Sequence, residues 1–126
     1  MMSENELAKI AVDVCFKIHS RLGPGLLESV YEEIVEYELR KSNLFVERQK
    51  DLPVVWDDLK LTKGYRTDLI IERKLLMEIK SVEQILPVHQ KQTLTYIRLQ
   101  DMKLALLVNF NVAYIKDGIQ RIVNGL

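Results

Sequence analysis

Apolar positions along this chain follow two rhythms, one helical and one extended. Leu7, Ala11, Val14, Ile18 and Leu22 recur at helical spacing, with Cys15 beside them. Ser3 and Glu6 form a capping box ahead of that run, and Gly23-Pro24-Gly25 stops it. A second helix is predicted from Leu26 to Lys41, with Leu27, Val30, Tyr31, Ile34 and Val35 as its apolar face. From Phe45 the rhythm changes. Val46–Trp56 carries β-branched and aromatic residues, and Pro53 suits it to a sheet edge. Asp57 to Gly64 reads as a polar turn region. Tyr65–Ile71 and Leu75–Val82 read as two central strands, so nearly continuously apolar that helices should cover both faces. Pro87 opens a third helix that runs to about Gln100. Leu104–Phe110 is a further buried strand, which a right-handed crossover would set parallel to Leu75–Val82. Val112–Lys116 and Ile119–Val123 flank Asp117-Gly118, a hairpin signal. The sum is an α/β sandwich built on a mixed sheet.

Composition narrows the class without naming a function. A chain of 126 residues suits one compact domain, residues 1–126. Hydrophobic residues make up 48% and charged residues 29%, a globular balance rather than a disordered one. The 18 basic and 18 acidic side chains cancel, which argues against strong non-specific binding to a polyanion but leaves room for a local basic patch. One cysteine permits no internal disulfide, and two histidines give no Cys/His zinc cluster. Cys15 is expected to be a small core residue. The acidic start MMSENELAKI lacks a signal-peptide core, and no apolar run reaches the ~18 residues of a membrane span. A soluble, cytoplasmic protein with no membrane partner is expected.

Three charges inside the central strands change the picture: Asp68 in one, Glu78 and Lys80 in the next. Burying them is costly unless they are paired or used. The acidic-x-lysine pattern occurs four times, but Asp58/Lys60, Glu72/Lys74 and Asp101/Lys103 fall at turns or helix ends. Only Glu78 and Lys80 lie within an apolar strand, where a two-residue spacing points them the same way. A buried ion pair would explain them alone. Asp68 lies ten positions before Glu78, and the turn decides whether the two meet. A two-residue turn at Arg73-Lys74 would set Leu69 opposite Glu78. A three-residue turn, Glu72-Arg73-Lys74, would set Asp68 opposite Glu78 and Arg66 opposite Lys80. Two facing carboxylates repel unless a cation lies between them, and oxygen donors suit Mg²⁺ or Mn²⁺. The backbone carbonyl of Ile79 could add a ligand. Lys80 could then orient or help deprotonate a water and stabilise charge on a phosphate. Phosphate binding without hydrolysis fits the same residues.

Asp68, Glu78 and Lys80 resemble the D…ExK signature of the PD-(D/E)XK nuclease superfamily, with Thr67 where the signature has proline. Gly25-Leu26-Leu27-Glu28-Ser29-Val30-Tyr31 resembles the motif of its small GxxExxY proteins, and the likeness spans nearly the whole chain. The resemblance implies a restriction-endonuclease-like α-β-β-β-α-β core and a metal-dependent nuclease, with DNA favoured over RNA. It also implies roles for flanking helix residues. Glu28 becomes a further metal-facing carboxylate, otherwise read as a helix-start glutamate. Tyr31 shares its face and either supports the site or packs in the core. Gln92 and Tyr96 resemble the QxxxY motif of RecB-type nucleases, and His89 lies on the same stripe. Gln92 and Tyr96 could meet phosphate or a base, or form a half-buried polar stripe; His89 could contact substrate or serve the helix start. Arg66 is the candidate for phosphate contact. A non-catalytic nuclease-fold module for nucleic-acid or protein binding is the competing expectation. The closing hairpin would offer an edge for a homodimer or protein partner.

Overall fold

Ser3 caps the first helix as its spacing predicts. Its hydroxyl accepts from Glu6 N–H at 3.2 Å, and its own N–H donates to the Glu6 carboxylate at 3.1 Å. The computed structural model describes residues 1–126. Helix α1 spans Glu4–Leu22 and buries Leu7, Ala11, Val14, Cys15 and Ile18. Helix α2 spans Glu28–Lys41. Strands β1 (Val46–Trp56), β2 (Leu59–Ile71) and β3 (Leu75–Lys80) follow, then helix α3 (Pro87–Leu99), strand β4 (Leu104–Asn109) and strand β5 (Ile119–Val123). The expected α-β-β-β-α-β order is therefore present, preceded by α1 and followed by β5.

The strands form one mixed sheet in the order β1-β2-β3-β4-β5. Strands β3 and β4 run parallel, as the intervening helix requires, and every other neighbouring pair is antiparallel. The larger apolar core lies between the sheet and helices α1 and α2, joining Leu7, Ile18, Tyr31 and Val35 to Leu69, Met77, Ile79 and Val108. A smaller core lies on the α3 face, where Ile97 packs with Leu52, Ile70, Leu76 and Ala105. Cover on both faces explains why β3 and β4 are almost wholly buried. Cys15 is sealed in the larger core, and burial pushes its thiol up to about 12, so it is inert.

Three expectations need correction. Asp57 to Gly64 is not a turn region: the turn is Asp57-Asp58, and Leu59–Gly64 belongs to β2, paired with β1 as far as Trp56–Leu59. The hairpin across Asp117-Gly118 does not form. Val112–Lys116 is not a strand, Ile115–Gly118 is a short 3-10 turn, and β5 pairs with β4 instead. A Cβ at Gly118 would run into the Asn109 carbonyl, so that glycine serves a close backbone approach. With no such hairpin, the proposed edge for a second copy reduces to β5 itself. Finally, the apolar face of α2 is as expected at Tyr31, Ile34 and Val35 but not at its start. Leu27 and Val30 are exposed, and Tyr31, Glu32, Val35 and Leu39 are buried.

Candidate active site

The turn between β2 and β3 is the three-residue loop Glu72-Arg73-Lys74, with Glu72 and Arg73 both left-handed at φ 51° and 57°. It fixes Ile71 opposite Leu75, Ile70 opposite Leu76 and Leu69 opposite Met77. One further step in this register sets Asp68 opposite Glu78, which is the parity a shared site needs. The backbone ladder stops there, and side chains replace it. Ile79 N–H donates to Asp68 Oδ2 at 2.7 Å, and Asp68 N–H donates to Glu78 Oε1 at 3.3 Å. Each strand thus lends a backbone donor to the other strand's carboxylate.

The strictly alternating pattern of β2 also breaks here. Ile70 packs against the α3 face, yet Tyr65, an odd number of residues away, faces the same helix and stacks on Tyr96 at 4.2 Å. Opposite the break, Gln49 on β1 has φ 51°, and the β1–β2 ladder passes over it between Arg48–Leu69 and Lys50–Thr67. The alternation is therefore broken on both strands beside Asp68, where the β2–β3 ladder also ends.

Electrostatics at this ladder end are unusual. Glu78 is 7% exposed, and burial, followed by the negative charge of Asp68, pushes its carboxyl up to about 8, with Lys80 acting in the opposite sense. Lys80 is half-buried and joins none of the ion pairs in the molecule, so its ammonium is available to a ligand. On α3, Gln92 Nε2 donates to the Tyr96 hydroxyl at 2.6 Å. Burial raises the Tyr96 phenol, and the charges of Glu78 and Asp68 add to the rise. The QxxxY stripe therefore forms and lies within electrostatic reach of the carboxylate pair.

Other site expectations resolve differently. Glu28 is not drawn in beside Asp68 and Glu78; its Oε2 accepts from Ser81 N–H at 3.2 Å, one residue beyond Lys80. Tyr31 is a core residue: it is fully buried and stacks on Phe110 at 4.4 Å. Its hydroxyl donates to Gly23 O at 2.7 Å and accepts from Leu26 N–H at 3.1 Å, closing the Gly-Pro-Gly turn. His89 serves its own helix start, where Nδ1 accepts from Leu86 N–H at 3.0 Å. Arg66 does not join Lys80 at the ladder end; it is exposed and pairs with Asp51 at 2.9 Å. The displaced alternation at Asp68 is the cause, because it is Tyr65 that faces α3. His19, in the last turn of α1, is buried, and its Nε2 bonds the Val112 carbonyl at 2.8 Å.

Two residues escaped the sequence reading. Glu32 is 5% exposed on α2, and burial raises its carboxyl. Gln49 Nε2 donates to Glu32 Oε1 at 2.6 Å and to Asp68 Oδ1 at 3.2 Å. Glu32 left one clue, a charge at helical spacing on the Tyr31–Val35 face. Gln49 left none.

The profile of the PD-(D/E)XK nuclease superfamily matches residues 5–122. The chain belongs to that superfamily. No curated protein and no solved structure matches it. Its α/β fold, a five-stranded mixed sheet between helices, is the restriction-endonuclease-like arrangement of the superfamily. Thr67 stands in place of the motif proline; it is fully buried, and its hydroxyl has no partner. Nucleases of the PD-(D/E)XK superfamily typically use divalent metals. The donor set here fits such an ion chemically. Asp68 and Glu78 are hard oxygen donors, and a cation would cancel their repulsion and offset the cost of ionising the buried Glu78. The carbonyl of a strand residue points to the same neighbour as its N–H, so Ile79 O is directed toward β2 and Asp68. No three His, Cys, Asp or Glu side chains converge closely enough to hold one ion, so a carbonyl or solvent must complete its shell. No helix is long and apolar enough to cross a membrane.

Proposed function

We propose that this chain, read as one nuclease-fold domain over residues 1–126, hydrolyses phosphodiester bonds in a reaction that depends on a divalent metal. One observation carries the reading. The carboxylates of Asp68 and Glu78 are held across the open end of the β2–β3 ladder by backbone N–H groups of the opposite strand, those of Ile79 and Asp68, with Lys80 two residues beyond Glu78 on β3. Asp68, Glu78 and the Ile79 carbonyl would hold Mg²⁺ or Mn²⁺. Such an ion, when bound, supplies charge stabilisation at a phosphoryl oxygen and eases ionisation of water.

The side chains do the remaining work. Lys80 orients the attacking water and stabilises charge growing on the phosphate. Gln92 donates to Tyr96, which leaves the phenol proton free to bond a phosphate oxygen, and the raised phenol keeps that proton. Glu28, through Ser81, and Tyr31, through the turn before α2, hold the exit of β3 in place. The motif Gly25–Tyr31 supports membership of the GxxExxY group, and DNA is the favoured substrate by that likeness. A cytoplasmic nucleic acid is the proposed partner.

A second reading has its own observation. The absence of a third converging carboxylate would suit a nuclease-fold module that binds nucleic acid or protein without cutting. Cleavage of labelled single- and double-stranded DNA and RNA, with Mg²⁺ or Mn²⁺, separates the two. Metal-dependent cutting by wild type, lost in Glu78→Ala and Lys80→Ala, is the expected outcome. No cutting of any substrate together with no metal binding would favour the module.

A further inference from the structure

We propose that Gln49 is a positioning residue for Asp68, coupling the buried Glu32 of α2 to the metal-holding pair; the inference rests on the metal-dependent reading above. Gln49 lies opposite Asp68 in the β1–β2 register, at the one place where that ladder leaves out a residue between Val46 and Leu52. Its φ of 51° is uncommon for a non-glycine residue inside a strand. Such backbone persists only where the surroundings enforce it. Here the enforcing contacts belong to its own side chain: one amide group bridges Glu32 Oε1 at 2.6 Å and Asp68 Oδ1 at 3.2 Å.

The bridge completes the hold on Asp68. Ile79 N–H takes Oδ2 at 2.7 Å, and Gln49 takes Oδ1, so the carboxylate is fixed from both sides. The residue type matters. A primary amide carries two N–H donors and no charge, so it can serve two carboxylates at once. Lysine or arginine would serve them too, but would place a positive charge where the cation must bind. Glutamine orients Asp68 and leaves its negative charge for the ion. Glu32 in turn anchors the amide, itself held near Arg48 at 3.5 Å. Outer partners of this kind tune metal affinity by orienting the ligand.

The test is Mn²⁺ binding to the full chain, followed by electron paramagnetic resonance of free Mn²⁺, with thermal melts of the metal-free proteins alongside. Gln49→Met keeps the length and removes the donors; its Mn²⁺ affinity should fall about 10–100-fold. Cleavage at saturating Mn²⁺ should largely recover, because the lesion is in holding the ion. Glu32→Gln should weaken binding in the wild-type background and add little in the Gln49→Met background, since both act through one bridge. Should Gln49→Met fail to fold, Gln49→Lys retains a donor, and the added charge should still lower affinity more than tenfold. Affinity within about twofold of wild type in Gln49→Met, or in Gln49→Lys where the former does not fold, would overturn the inference and leave the site reading intact. A wild type that binds no Mn²⁺ would overturn both.

Discussion

The two edges of β3 are held in different ways. Toward β4 the parallel ladder is unbroken from Leu75–Leu104 to Lys80–Asn109. It is then prolonged: Phe110 N–H donates to the Lys80 carbonyl at 2.9 Å, and the Asn109 side chain bonds both the N–H and the carbonyl of Val82. Toward β2 the ladder ends at Leu69–Met77, and the next donors serve carboxylates. The closed edge is a rigid backing; the open edge is where the charged side chains gather. The pair needs both, because two carboxylates at a sheet edge hold their geometry only on an element fixed from behind.

The largest effect should come from the open edge. Lys80→Ala is expected to lower kcat about 10²–10⁴-fold, the range for losing a group that handles protons or charge at the reacting centre. Cleavage of labelled DNA under saturating metal checks it, and a loss under tenfold would leave Lys80 without that role.

Glu78 should also write itself into stability against pH. Its folded value, about 8, lies above its ordinary 4.5, so the metal-free fold keeps a proton that the unfolded chain has released. The contribution is fully present below the ordinary value and is lost as pH rises through about 8. Urea melts across that window should show metal-free stability falling by a few kcal/mol, and Glu78→Gln should flatten the slope.

On the closed edge, Asn109→Ala removes the bonds to Val82 and to Asn111 N–H. A cost of about 1–3 kcal/mol is expected from the orphaned backbone groups, read from denaturant melts. Cleavage should fall with it if the backing matters, and an unchanged rate in a folded variant would separate the two edges functionally. The smallest effect belongs to Arg66→Ala. Its exposed pair with Asp51 lies outside the site, so rate and melting temperature should stay at wild-type values.

What the sequence made legible follows from burial. Leu69, Met77 and Val108 are buried strands written in apolar residues, and Asp68, Glu78 and Lys80 stood out against that background. The three-residue turn was readable as a requirement, since only odd parity joins the carboxylates. Leu59–Gly64 was not readable as strand, because its residues are exposed and mostly polar; pairing with β1 makes it one. Asp117-Gly118 misled because a local turn signal says nothing about which strand already fills the β4 edge. Arg66 was misplaced by assuming strict alternation through Asp68, where the sheet breaks it. Gln49 was invisible because its role depends on a backbone conformation that no local pattern announces.

The central claim is that a cation resolves the strained pair at the open edge. Carboxyl ¹³C resonances of Glu78, titrated by NMR without and with saturating Mg²⁺, test it most directly. The account predicts a value near 8 in the metal-free protein and a fall into or below the ordinary carboxylate range when Mg²⁺ is present. A Glu78 value that Mg²⁺ leaves unmoved would contradict it.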